Sequence, residues 1–439
     1  MTAVAQRTFA SLAIPNYRRY FAGQVVSLSG NWMQIVAEMW LIVQLTHSGV
    51  SVGITAALQF LPILLFGAWG GLLADRMDKR RLLMVTQALM ALPALALFAL
   101  VTAGAVEAWM VFVLVLARGA VTAIDNPARQ AFVMEMVGAD RVVNAVSLNS
   151  VIVHMARIAG PSAAGGVIAL AGVGPCFALN ALSFVAMIVA LRGMNPAKLH
   201  APVPGRRGRG QLRSAVRTVA RTPELRVPLA MMAVVGTFSF NFQVLLPLFA
   251  RFTWEGTAGT YALLTAAMGV GSIAGALIAG ARGRVSQRLL IGAAAAFGLF
   301  ELLAAAAPSL ELQLAALVPL GAVSVTFAAG VNSALQLAVE PAMRGRVMAL
   351  YSVVFLGSTP IGAPLVGWIA EAASPRAGLL VGAAAALTAA LGAWLLDTPR
   401  HAPPLPGAPA RPRPDRAHAG RRRSGVPAGS AERPALRRG

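Results

Sequence analysis

Four polar side chains recur at helical spacing inside the first long apolar stretch of the chain: Gln24, Asn31, Gln34 and Glu38. Steps of seven, three and four residues place them along one face of a helix. An ionised carboxylate in apolar surroundings is costly, so Glu38 must face a wet cavity, pair with a base or stay protonated. Such a group can carry a proton, recognise a cation or serve as a structural hydrogen-bond partner.

Two arginines and a histidine lie inside later apolar stretches. Arg118 is near the middle of one stretch, and Arg157 lies in the next, with His154 one turn before it and Ser150 before that. A cation in such a place can bind an anionic substrate, pair with Glu38 or form a static ion pair between helices. His154 could relay a proton because histidine titrates near neutral pH, or it could be a hydrogen-bonded structural residue.

A short charged hinge, residues 71–82, joins two further apolar stretches and contains two acids and four bases. A carboxylate beside a helix N-terminus gains about 0.3–1 kcal/mol, so Asp75 could hold two segments together. The competing interpretation is that Asp75 only offsets the local positive charge. The bases themselves are better explained as determinants of membrane topology.

The elements that carry these residues are predicted to be membrane spans. Of the 439 residues, 57% are hydrophobic and 12% are charged, whereas soluble proteins have about 25% charged residues. Stretches of about 20 apolar residues can cross a hydrocarbon core of about 30 Å, and without water each must form a helix. We predict an all-α polytopic membrane protein with twelve transmembrane helices. The predicted spans are 20–45, 50–73, 82–104, 108–127, 143–171, 174–194, 227–250, 260–281, 287–307, 311–336, 347–371 and 376–396.

Lys and Arg concentrate in alternate connections and at the two ends of the chain. This bias places the basic side, and with it both termini, in the cytoplasm. The N-terminus lacks a cleavage site after a short apolar region, so the first span is expected to be retained. The predicted organisation is a six-helix bundle at 1–194, a basic linker at 195–226, a second bundle at 227–396 and a disordered Pro/Arg-rich cytoplasmic tail at 397–439. Within the linker, 211–221 predicts a basic amphipathic helix at the membrane surface.

Composition and motifs argue against several other functions. The net charge of +21 follows the topology bias, and no basic module with interleaved aromatic residues suggests nucleic-acid binding. Cys176 is the only cysteine, so no intramolecular disulfide can form. There is no phosphate-binding loop, and the histidines lack metal-ligand spacing. We therefore expect neither an enzyme nor a bound cofactor or metal.

The two halves repeat weakly. Gly67 and Gly71 in the second span match Gly271 and Gly275 in the eighth, each pair at small-xxx-small spacing. Two halves that repeat in the same order, related by an axis along the membrane normal, are typical of transporters with a central alternating-access site.

The hinge resembles the loop motif of the major facilitator superfamily. The matching residues are Gly71, Leu73, Ala74, Asp75, Arg76, Lys79 and Arg80. Asp78 departs from the motif, which usually has glycine there. Segments 16–24, 57–62, 125–130, 144–161 and 344–348 are similar to the enterobactin-exporter-like, or transmembrane secretion effector, branch.

This resemblance implies a bacterial inner-membrane permease that exports siderophores, drugs or other secondary metabolites against proton entry. We expect a monomer whose partners are a small substrate, protons and lipid. Metabolite uptake, or a non-transporting membrane sensor or assembly partner on the same fold, are the alternatives. Cavity-facing Glu38, Arg118 and Arg157 favour transport, since a scaffold does not need them.

The resemblance also implies roles for individual residues. The motif aspartate, Asp75, would close a cytoplasmic gate by meeting the N-terminus of the eleventh span and Arg129. Antiporters of this superfamily often carry an arginine in the fourth span, which Arg118 partly resembles. The segment with Gly160, Pro161 and Gly165 is similar to the antiporter motif of the fifth span and favours export, with simple close packing as the alternative.

Overall fold

The computed structural model describes residues 10–200, 211–282 and 286–396. The described residues form helices joined by short connections and contain no strand. Eleven helical segments among them are long and apolar enough to cross a membrane. A further long helix, Pro15–Thr46, has 32 residues and carries the polar face described above. The all-α polytopic prediction is confirmed, while the predicted tail at 397–439 lies outside the described residues.

The helices follow one another with few intervening residues. The first six are α1 Pro15–Thr46, α2 Gly49–Arg76, α3 Lys79–Thr102, α4 Ala108–Val137, α5 Val142–Ala171 and α6 Gly174–Arg192. The short linker helix is α7 Gln211–Arg221. The remaining helices are α8 Pro223–Phe238, α9 Phe242–Leu248, α10 Ala258–Arg282, α11 Gln287–Ala306, α12 Leu310–Ala338, α13 Pro341–Ala372 and α14 Pro375–Leu395.

The charged hinge is shorter than the sequence suggests. Helix α2 continues to Arg76, so Asp75 lies in its last turn rather than in a loop. Helix α3 begins at Lys79, and Asp78 is its N-cap residue, with Oδ1 accepting a hydrogen bond from the Arg81 amide at 2.7 Å. Aspartate is a favoured N-cap. The aspartate that replaces the motif glycine therefore starts the next helix.

The seventh predicted span, 227–250, is broken. Helix α8 ends at Phe238, α9 begins at Phe242, and a π-helical turn over Phe249–Thr253 follows. At the break, Ser239 Oγ donates to Gly382 O at 2.8 Å, and Asn241 Nδ2 donates to Thr237 O at 2.7 Å. Backbone interruptions at membrane depth need such substitute partners.

Helix packing among the last spans follows the packing among the first. Within the first six helices α2 packs on α4, α3 on α6 and α1 on α6. Likewise α10 packs on α12, α11 on α14 and α8 on α14. Helices α2 and α13 pack together, as do α5 and α10, and these two pairs join the two sets.

The seam between α2 and α13 is a backbone contact. A Cβ added to Gly49 would collide with the Gly367 carbonyl, and a Cβ added to Gly53 would collide with the Ala363 carbonyl. Close approach of this kind requires residues with little or no side chain. Glu371, in the last turn of α13, accepts hydrogen bonds at the start of α2 beside this seam.

Candidate functional site

A buried ion pair joins α1 to α4. Glu38 is fully buried, and its Oε2 lies 2.7 Å from Arg118 Nη2. Glu38 Oε1 accepts a hydrogen bond from Gln34 Nε2, also at 2.7 Å. Arg118 Nη1 donates to Asn31 Oδ1 at 3.2 Å, whereas Arg118 Nε has no hydrogen-bond partner in the described part of the chain. Of the alternatives open for Glu38, the structure shows pairing with a base.

The network continues into α6. Asn180 Nδ2 donates to Gln34 Oε1, and Ser183 Oγ donates to Asn180 Oδ1 at 2.8 Å. Gln34 and Asn180 are both fully buried. Three helices therefore share one polar network. Gln34 binds one oxygen of the Glu38 carboxylate and Arg118 binds the other. Asn180 lies far from the α1 stripe in sequence, so no spacing rule could have identified it.

A second buried ion pair lies towards the end of α4. Asp125 Oδ2 accepts from Arg129 Nε at 2.9 Å and from Arg129 Nη2 at 2.7 Å. Its Oδ1 accepts from Thr86 Oγ1 at 2.7 Å and from Gln87 Nε2 at 3.0 Å. Arg129 Nη1 also donates to Gln24 Oε1. The cluster links α1, α3 and α4.

This cluster gives Arg129 partners that the sequence analysis did not name. The resemblance implied Asp75 as its acidic partner, but the described ion pair of Arg129 is with Asp125, one turn earlier in the same helix. Asp75 is exposed in the last turn of α2. The gate assignment of Asp75 stays a prediction, whereas Asp125 carries a contact that the sequence did not single out.

Two of the hinge bases, Lys79 and Arg80, contact other helices of the first six. Lys79 Nζ lies 2.7 Å from Glu135 Oε1 of α4, and both side chains are largely buried. Arg80 Nε donates to Leu191 O at 2.7 Å, at the end of α6. A cation at a helix C-terminus satisfies free carbonyls and the helix dipole. Arg76 is exposed and Gly71 is buried.

Arg157 has different surroundings from Arg118 and Arg129. Its guanidinium carbon lies 5.2 Å from the centre of the Trp32 ring in α1, within cation–π distance. Its Nε has no hydrogen-bond partner, and no described carboxylate forms an ion pair with it. The side chain is partly exposed. The side chain of His154, predicted beside it, lies outside the described residues.

The antiporter-like segment of α5 makes close helix contacts on two sides. A Cβ on Gly160 would meet the Trp32 side chain and the Ser29 carbonyl of α1. A Cβ on Gly165 would meet Ala262 of α10 at 2.5 Å. Pro161 lies inside the helix, which continues through it. The segment thus packs α5 against helices from both sets.

Two further carboxylates stand out in the structure. Glu301 of α11 is fully buried, and neither carboxylate oxygen has a hydrogen-bond partner among the described residues. Glu371 connects α13 to α2. The sequence analysis gave neither residue a role, because a lone acid in or beside a span has no spacing signal.

Comparison with known proteins gives a consistent set of relatives. The sequence profile of the family described as transmembrane secretion effector matches residues 6–403. An enterobactin exporter of Citrobacter koseri is 26% identical over 375 residues, which cover 83% of this chain and 87% of that protein. A staphyloferrin A transporter of Staphylococcus aureus is 29% identical over 174 residues, 39% of this chain and 44% of that protein. The match with the latter thus spans less than half of either protein.

Solved structures of low sequence identity share the fold. The nucleoside transporter NupG superposes with a TM-score of 0.67 at 12% identity, covering 87% of this chain and 98% of that one. A bacterial homologue of the iron transporter ferroportin gives a TM-score of 0.68 at 15% identity, covering 87% and 98%. These likenesses establish the architecture and say nothing about substrate.

Proposed function

The chain belongs to the transmembrane secretion effector family, a branch of the major facilitator superfamily of membrane transporters, and from this premise we propose that it exports a small amphipathic molecule against proton entry. Protons would bind at Glu38 and change its pairing with Arg118. The substrate would be a siderophore or a comparable secondary metabolite. The transporter would act as a monomer.

The single observation that supports proton coupling is the buried Glu38–Arg118 pair. Both side chains are almost completely enclosed, with exposures of 0% and 3%. In such surroundings the two charges neutralise each other, and removal of either charge leaves the other uncompensated. Protonation of Glu38 would do this, because the neutral acid no longer balances the Arg118 guanidinium.

The proposed coupling acts through α1 and α4. In the ionised state Glu38 holds Arg118, and the pair ties the two helices together. When a proton binds, the tie weakens and Arg118 is free to turn towards other acceptors. Asn31, already bonded to Arg118, would then hold more of the guanidinium. The charge state of one carboxylate would thus be transmitted to the relative position of two helices.

Alternating access requires that the junctions between the two sets of helices open and close. The backbone seam between α2 and α13 and the contact between α5 and α10 are those junctions. We propose that the end of the seam at Gly49 and Gly367 is the outer mouth of the transport path. Its closure by Glu371 corresponds to a state open only to the other side.

The proposed orientation places both termini in the cytoplasm and the protein in the inner membrane. The basic hinge at 76–81, the linker at 195–226 and the chain ends would all lie on the cytoplasmic side. The helix ends that carry Glu107 and Glu371 would face outwards. The multi-pass membrane character follows from the helices themselves.

The relatives suggest which substrates to test. Those with the names enterobactin exporter and staphyloferrin A transporter handle siderophores. Purified full-length protein would be reconstituted into acid-loaded liposomes that contain a pH-sensitive dye. Enterobactin or staphyloferrin A, added outside, should trigger alkalinisation of the interior as protons leave in exchange.

The controls separate coupling from transport. Glu38→Gln should lose the substrate-triggered alkalinisation, while Glu107→Gln, which removes an exposed carboxylate at the start of α4, should keep it. Equal proton flux in Glu38→Gln and wild-type protein would overturn the role of Glu38. Substrate movement that is independent of the pH gradient would overturn proton exchange.

A further inference from the structure

Arg118, Arg129 and Arg157 all lie in long membrane-spanning helices but do not have the same surroundings. Arg118 is neutralised by Glu38 and Arg129 by Asp125, each at 2.7 Å. Arg157, at the middle of α5, has no described carboxylate within ion-pair distance. An unpaired cation at this depth is costly, and proteins keep such residues where an anion or water can reach them.

Arg157 contacts two neighbouring helices. Its guanidinium stacks on Trp32 of α1, and its backbone lies against Gly269 of α10. A Cβ on Gly269 would approach the Arg157 carbonyl at 3.3 Å. Arg157 therefore has its side chain against α1 and its backbone against α10, beside the contact between α5 and α10 that joins the two sets of helices.

Polar residues recur on one face of α5 before this point. Ser147 and Ser150 are exposed, and each hydroxyl donates to the carbonyl four residues earlier, at 2.9 and 3.0 Å. Steps of three, four and three residues carry the same face through 154 to Arg157. These residues begin at the N-terminal end of α5, directly after Arg141, on the side proposed as cytoplasmic.

We propose that Arg157 and Trp32 form the binding site for an anionic group of the transported molecule. The class of ligand is a small amphipathic anion that carries a carboxylate, sulfonate or phosphate group beside an apolar or aromatic part. The guanidinium can bind two oxygens of such a group at once. The Trp32 ring, which is also partly exposed, offers a flat apolar surface next to the charge.

The sequence left both anion binding and ion pairing open for Arg118 and Arg157, and this assignment gives the two residues different roles. Arg118 is occupied by Glu38 and belongs to the proton site, whereas Arg157 is open to cargo. Asn31 and Trp32 are adjacent in α1, so the two guanidiniums contact neighbouring residues of one helix. The inference rests on the proposed export function but concerns binding, which can be measured without proton flux.

The test uses a matched pair of probes, 1-naphthoate and its uncharged amide, 1-naphthamide. The readout is the unfolding temperature of the full-length protein in an uncharged detergent without added lipid. Cys176 is the only cysteine and is buried, so a thiol-reactive fluorophore reports unfolding. A ligand that binds the folded state raises the unfolding temperature.

We expect 1-naphthoate to raise the unfolding temperature of the wild type by several degrees and 1-naphthamide to leave it unchanged. Arg157→Gln should abolish the shift, and Arg157→Lys should keep part of it, which shows that the variant site is still folded. Arg226→Gln removes an exposed arginine at the start of α8 and should retain the full shift. Equal shifts with both probes, or an undiminished shift in Arg157→Gln, would overturn the proposal.

A second arm distinguishes cargo from lipid. Phosphatidylglycerol is added to the detergent in place of 1-naphthoate. If the lipid alone gives a shift that depends on Arg157, the site binds a lipid headgroup and the cargo assignment is wrong. If the Glu38→Gln variant loses proton flux in liposomes but keeps the 1-naphthoate shift, the two proposals are independent and the anion site stands.

Discussion

The carboxylate of Glu371 accepts a hydrogen bond from the Ser48 hydroxyl at 2.6 Å, and so ties the end of α13 to the start of α2. The same oxygen accepts from the Val50 amide at 3.0 Å. A carboxylate beside a helix N-terminus is favoured by the helix dipole as well as by the hydrogen bonds. Together with the glycine seam, this contact closes one end of the junction between α2 and α13.

Glu371→Gln should favour opening at this end. Loss of the charge weakens hydrogen bonds that contribute about 1 kcal/mol, so the open population should rise about fivefold. Spin labels on Gln44→Cys, near the end of α1 where the chain enters α2, and on Ala373→Cys, directly after α13, in a Cys176→Ala background, would report the separation at this end. The variant should show a longer and broader distance distribution than its parent.

Glu311→Gln is the matched control for this experiment. Glu311 is an exposed carboxylate in the first turn of α12, away from the seam. Its substitution should leave the distances unchanged. An unaltered distribution in Glu371→Gln would show that the carboxylate does not hold the seam.

The Glu38–Arg118 pair should behave as one unit in stability. Removal of one partner from a buried pair costs about 3–5 kcal/mol because a charge is left uncompensated. Glu38→Gln and Arg118→Gln should therefore each lower the unfolding temperature, and the double variant should be more stable than the sum of the two losses predicts. Cys176 labelling gives the measurement. Strictly additive losses would mean that the two side chains are not coupled.

Asp125 should be a stability residue. It accepts hydrogen bonds from Arg129, Thr86 and Gln87 in a cluster that is almost fully buried. Asp125→Asn removes the charge that balances Arg129, at a cost of about 3–5 kcal/mol. We expect poor yield of folded protein and a clearly lower unfolding temperature. Wild-type stability in this variant would contradict the role given to the cluster.

Asp75 should show the opposite pattern. It is exposed at the end of α2, so Asp75→Asn should change the unfolding temperature little and still insert. If it closes a gate, liposome transport should fall by tenfold or more, on the order of 1.4 kcal/mol. Asp78→Ala is the informative comparison: loss of the α3 N-cap should cost about 1 kcal/mol of stability and spare transport. Full transport by Asp75→Asn would reduce the hinge to a topology signal.

Local spacing predicted part of this architecture well. Gln34 and Glu38 are four residues apart, and the structure joins them by a hydrogen bond on one helix face. The linker helix begins and ends at the predicted residues, Gln211 and Arg221. Such features depend on neighbours within one or two helical turns, which sequence patterns report directly.

Other features could not be predicted because they depend on distant partners. The break between α8 and α9 is stabilised by the Gly382 carbonyl, 143 residues away from Ser239. Asn180 reaches Gln34 across 146 residues. Arg129 was expected to meet Asp75, and this contact stays a prediction; the structure shows Arg129 bound to Asp125 at i−4 in its own helix and to Gln24 of α1. Tertiary packing decides between partners of this kind.

The backbone seam between α2 and α13 has a kinetic consequence. At this end of the seam Gly49 and Gly53 meet Gly367 and Ala363 with almost no side chain between the two backbones, whereas further along the Leu64 side chain of α2 packs on Gly357 of α13. Interlocked side chains must disengage before helices can separate, and at the Gly49 end there is almost nothing to disengage. This end can therefore open by losing the few hydrogen bonds of Glu371, without repacking of side chains around it.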